Sequence, residues 1–183
     1  MLCQGVALML VFSFLPGCSS DKSGSTADSA EKQTFSAEKQ TLKKAFAAIR
    51  DNDWQAFRQV SITSADIAMK KMNISPMKAQ QSYVGSSLKP KELDAQKEGF
   101  KKAAAGEEGR IDFKKSEFKG VGTLLESGTM PLLAGGSYEY KVYSIQIETE
   151  GQTTDTKDLW PKFRVVPWNG GTRVVKLLFE ASK

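Results

Sequence analysis

At 183 residues, with 40% hydrophobic residues and a formal charge of +5, the chain is long enough for one ordinary domain and too apolar to remain wholly disordered. Histidine is absent, and the two cysteines, Cys3 and Cys18, both fall near the start. That composition excludes a His-dependent triad, an imidazole metal site, a CxxC zinc or redox centre and a disulfide within the part that follows Cys18. No cofactor is expected.

The first twenty residues, MLCQGVALMLVFSFLPGCSS, hold an apolar run of the length of a secretory leader and too short for a comfortable transmembrane helix. The run closes on Leu15-Pro16-Gly17-Cys18, which resembles the lipobox of bacterial lipoproteins. Pro16 stands where that motif usually carries Ala, Ser, Thr or a β-branched residue, and no Lys or Arg precedes the apolar run. The resemblance implies cleavage between Gly17 and Cys18, a diacylglycerol on the Cys18 thiol and attachment to a lipid bilayer. It also implies outer-membrane delivery in a Gram-negative cell, because Ser rather than Asp follows the cysteine. An ordinary cleaved signal, or an uncleaved anchor with an unmodified Cys18, is the other reading.

Residues 19–33, SSDKSGSTADSAEKQ, are polar and rich in Ser and charge, which predicts a flexible tether. The expected organisation is therefore a leader over 1–17, a lipidated Cys18 and tether over 18–33, and one domain over 34–183. Within that domain Phe35, Leu42, Phe46 and Ile49 fall on one face of a helix, with Glu38, Lys39, Lys43, Lys44 and Arg50 largely elsewhere. Asp53 is placed to cap a second helix carrying Trp54, Phe57 and Val60, and Thr63-Ser64-Ala65-Asp66 has capping-box form ahead of a third. Ser75-Pro76 and Lys89-Pro90 mark two more helix starts, the latter running to a stop at Gly106.

Beyond Gly106 the period changes to two. Strands are expected at Ile111–Phe113, at Phe118–Leu125 and at Gly136–Thr149, followed by a turn at Gly151-Gln152. A hairpin of Phe163–Trp168 and Arg173–Phe179 is joined through Asn169-Gly170-Gly171, with Pro167 suited to an edge or a bulge. Helices followed by an antiparallel meander predict an α+β domain, its N-terminal helices packed on a curled sheet of four to five strands. The stretches AIRDNDWQAFRQVS and YKVYSIQIETEG…DLWPKFRVVPWNGGTRVVKL resemble small exported proteins of the NTF2-like or cystatin-like superfamily, with 75–109 as an insertion.

NTF2-like members often enclose a pocket, and some use an acid or base with a tyrosine. By that resemblance Tyr138, Tyr140 and Tyr143, with Asp155 and Asp158, are candidates, although alternating tyrosines on a strand more often pack across it. Trp160, Trp168 and Arg173 gather near the last hairpin, where they can bind sugar rings or a protein partner, or else close the core. Lys97, Lys101, Lys102, Lys114, Lys115 and Lys119 are interleaved with seven carboxylates, which points to a solvated face, and no nucleic-acid-binding motif is present. The expected function is that of an envelope lipoprotein whose head binds a ligand or another envelope protein without turnover, with a pocket enzyme or small-molecule carrier as the alternative.

Overall fold

The computed structural model describes residues 26–73, 75–106, 110–133 and 135–179. The leader, the lipobox and Cys18 lie outside the described residues, as does the side chain of Phe35. The first helix, α1 (Thr26–Arg50), reaches back into the segment read as a tether. Thr26–Gln33 is thus helical rather than coil, in keeping with Ala27, Ala30, Glu31, Lys32 and Gln33, all strong helix formers. Leu42, Ala45, Phe46 and Ile49 line its inner stripe and are almost fully buried.

The next two helices start where their capping residues demand. Asp53 accepts a hydrogen bond from the Ala56 amide at 2.9 Å and opens α2 (Trp54–Val60). At α3 (Ser64–Lys71) the box is reciprocal: the Thr63 amide donates to Asp66 Oδ2 at 2.9 Å and the Asp66 amide to Thr63 Oγ1 at 3.1 Å. A short α4 (Pro76–Gln81) and a π-helical turn (Val84–Leu88) lead into α5 (Lys89–Ala105), which ends at Gly106 in the left-handed region.

The sheet has five antiparallel strands: β1 (Glu117–Pro131), β2 (Ser137–Thr149), β3 (Gln152–Asp155), β4 (Lys162–Trp168) and β5 (Gly171–Leu178). Their order is β1-β2-β4-β5, with β3 pairing the far end of β2. The observed architecture is the expected one, helices on a curled antiparallel sheet. Three details differ. Ile111 and Phe113 are buried at 0% and 2% exposure but form no strand, because the Asp112 side chain accepts the amides of Lys114 and Lys115 and turns the chain. β1 continues to Pro131 through a stretch whose side chains are mostly exposed, so no apolar alternation marks it, and three register shifts interrupt its pairing with β2. The unexpected β3 folds back through Glu150 and Gly151, both at positive φ, the geometry of a two-residue hairpin turn.

Two features of the sheet position the sites below. β2 and β4 pair only over Lys141–Tyr143 and Phe163–Val165. The ladder stops short of Pro167, which has no N–H to donate, and beyond it the strands part. In β5, Val174 pairs with Val165 and Lys176 with Arg164, which leaves Val175 as an extra residue. This bulge sends Val174 and Leu177 into one apolar cluster, with Phe46, Phe57, Phe100 and Phe163, and Val175 into a second, with Ile62, Ala65, Tyr138 and Val166. The sheet is thereby covered by apolar packing on both sides.

Candidate binding clefts

Where β2 and β4 part, an open cleft of about 770 Å³ forms, bounded by the first inward turn of α1, by β1 and by the β4–β5 turn. Tyr140 and Trp168 line it together with Glu38, Lys141 and Lys70. Glu38 is 3% exposed, although the sequence reading set it on the outer part of its helix. Its carboxylate accepts a hydrogen bond from the Tyr143 hydroxyl at 2.8 Å and one from Lys141 Nζ at 3.1 Å. Burial, reinforced by the hydrogen bond and negative charge of Glu38, holds the Tyr143 phenol well above the usual tyrosine range, so it stays a donor. Glu38 lies four residues before Leu42 and seven before Ala45, the spacing of the inner stripe, and that was the signal available for it.

The other aromatic groups of this cleft also have partners. The Tyr140 hydroxyl donates to Glu126. Lys70 Nζ stands 4.4 Å from the centre of the Trp168 ring while donating to Asn169 Oδ1. Asp155, a candidate acid or base, accepts from the Ser144 hydroxyl and, at 2.7 Å, from the Thr123 hydroxyl. Burial alone would raise its pKa, but these hydrogen bonds hold it below the usual carboxylate range. Asp158 is exposed near Lys162 and joins none of these groups.

Tyr138 faces a different cleft, of about 570 Å³, between α5 and β2, β4 and β5. Apolar walls come from Phe57, Ala95, Leu177 and Phe179. At the floor the Tyr138 hydroxyl donates to Met130 Sδ at 3.2 Å, and Arg164 Nη1 approaches the same sulfur at 3.6 Å. Arg164 stacks its guanidinium 4.5 Å from the centre of the Tyr140 ring, where the two clefts meet. Sequence reasoning passed over Arg164; the signal was a lone charge inside the apolar run Phe163–Val166.

The expected gathering of Trp160, Trp168 and Arg173 does not occur. Trp160 stands two residues before β4 and Trp168 at its end, and the length of the strand, at about 3.3 Å a residue, holds them roughly 20 Å apart. Trp160 instead bridges to Arg110 and packs under Lys162 Nζ at 5.0 Å. Arg173 donates to the Thr172 carbonyl at 3.0 Å and lines a third, smaller cleft beside α1. Among the described residues no three Cys, His, Asp or Glu side chains come together in a way that would hold a metal ion.

No family model matches the chain, and no curated protein does. Among solved structures it is similar to a cystatin-like protein from Ruminococcus gnavus ATCC 29149, at 14% identity and a TM-score of 0.46. The likeness covers 86% of this chain and 45% of that one, so this chain spans less than half the length of that protein.

Proposed function

We propose that this chain is a lipid-anchored envelope lipoprotein, held to the bilayer through acylated Cys18, whose head is a non-catalytic binding module of the NTF2-like or cystatin-like kind. Its ligand, or a segment of another envelope protein, sits in the cleft where β2 and β4 part, against Trp168 and Tyr140. The observation that supports binding over turnover is the state of the ionisable groups there. Glu38 is committed to Tyr143 and Lys141, and the Tyr140 hydroxyl to Glu126, so the buried acid and the tyrosine of this cleft are held by partners within the protein. An open cleft with aromatic walls and a charged rim suits a polar ligand or a surface loop.

A photo-crosslinking residue placed at Trp168 in intact cells tests the site, with a second at Met77, an exposed position outside this cleft, as control. The expected result is a discrete adduct from position 168 and none from 77; equal labelling, or none at 168, would sink the proposal. In the same cells Cys18→Ala is expected to move the chain from the membrane fraction to the aqueous one, and unchanged attachment would remove the anchor. The carrier alternative is favoured at the cleft below α5.

A further inference from the structure

Arg164 is the anomaly of that second cleft. Its Nε is buried without a hydrogen-bond partner, and among the described residues no carboxylate forms an ion pair with it. A guanidinium carries five donors and no acceptor, and a buried donor left unused is a cost that structures seldom carry without a reason. Here its Nη1 and the Tyr138 hydroxyl converge on one atom, the Met130 thioether sulfur, which is a weak acceptor. Two good donors aimed at one soft acceptor are an arrangement that an oxyanion would satisfy far better.

The surroundings settle the sign and shape of that anion. Glu92 and Glu98 also line the cleft, but Glu92 is spent on the start of α3, accepting from the Ser64 hydroxyl and, at 2.9 Å, from the Ala65 amide, and Glu98 pairs with Lys101 at 3.1 Å. Lys102 and Lys176 stand at the rim. Beyond this polar floor the walls are apolar: Phe57, Ala95, Val174, Leu177 and Phe179. The volume falls within the range of about 300–1,000 Å³ usual for small-molecule sites. Burial, with the charge of Glu92 adding to it and that of Arg164 opposing it, pushes the Tyr138 phenol up, so it keeps its proton to donate.

We infer that the cleft between α5 and the sheet binds an aliphatic monocarboxylate, its head held by Arg164 and Tyr138 in place of Met130 and its tail laid along Ala95, Leu177 and Phe179. This site touches the cleft where β2 and β4 part only through the Arg164–Tyr140 contact and does not depend on that cleft having a ligand.

Calorimetric titration of the full chain with octanoate tests it, against 1-octanol, which keeps the tail without the charge, and sulfate, which keeps the charge without the tail. Saturable octanoate binding is expected, weakened about tenfold or more in Arg164→Gln and about tenfold or more weaker for octanol. Ala95→Trp, which fills the apolar wall from the outer side of α5 without touching Arg164, is expected to abolish it. Absence of octanoate binding up to about 10 mM, equal affinity for octanol, or equal affinity for sulfate would each overturn the inference. Because the three probes are compared on the unaltered chain, the result stands even if Arg164→Gln does not fold. The Trp168 crosslink reads the other cleft, so the two proposals fail separately.

Discussion

Tyr143 and Tyr138 sit on one strand, on opposite faces of one sheet, and their hydroxyls are treated in opposite ways. Under α1 the Tyr143 hydroxyl meets a buried carboxylate that also takes a lysine, so donors and acceptors match. On the other face the Tyr138 hydroxyl and a guanidinium share a thioether. The lesson is that burial does not mark a binding site; balance does. A buried polar cluster whose charges cancel holds the fold together, whereas one with surplus donors is stable at a cost and is set for a partner from outside.

That contrast can be broken most directly at Glu38. Glu38→Ala leaves the Tyr143 hydroxyl buried without its acceptor and Lys141 without its counter-charge, and is expected to cost about 1–3 kcal/mol in urea unfolding. Adding Tyr143→Phe should recover part of that loss, since the orphaned donor is then gone; simple additivity of the two changes would show that the pair is not coupled.

A smaller effect is expected at Asp66, on the far side. Burial works against its charge, yet the Lys89 ion pair at 2.8 Å and the Thr63 hydrogen bonds hold its pKa below the usual carboxylate range. A carboxyl with a lowered folded pKa stabilises above its unfolded value, about pH 4, and the benefit is lost as pH falls through the folded value. Asp66→Asn should therefore cost about 1 kcal/mol at pH 7, after allowing for solvent screening of a partly exposed group, and less at pH 2. An unchanged difference between those two pH values would show that the charge is not what matters there.

The smallest change in stability is expected at Arg164. Arg164→Gln relieves the partnerless Nε but also gives up the weak Nη1 contact to Met130 and the guanidinium over the Tyr140 ring, changes that offset, so the unfolding midpoint should shift by no more than the equivalent of about 0.5 kcal/mol. A loss as large as that at Glu38 would place Arg164 with the structural clusters and erase the contrast.

Much of the fold was legible because it rests on local chemistry. The capping box at Thr63, the stop at Gly106 and the Asn169-Gly170 turn are each a short-range arrangement of a few residues, and each appears where the residues call for it. What escaped notice depends on distant parts of the chain. The outer half of β1 has no buried face to write a pattern into its sequence, and Asp112 redirects a segment whose alternation looked like a strand. The binding clefts were harder still. Glu38 and Lys141 are over a hundred residues apart, and Arg164 on β4 and Met130 on β1 meet across β2, which pairs Val142 with the one and Tyr138 with the other. Composition did place aromatic side chains near the clefts, but it set Trp160 beside Trp168, which the length of β4 forbids.

The irregular pairing of β1 has a further consequence. This strand is the open edge of the sheet, fifteen residues long, with Leu124 and Leu125 exposed upon it, which would ordinarily invite the same strand of a second copy to zip alongside. Its register shifts fall after Phe118, after Val121 and after Leu124, so regular backbone is offered to a neighbour only from Glu126 to Pro131, and Glu117, Lys119 and Glu126 set charges along the strand. Strand addition by a second copy is thereby discouraged along the inner half of this edge.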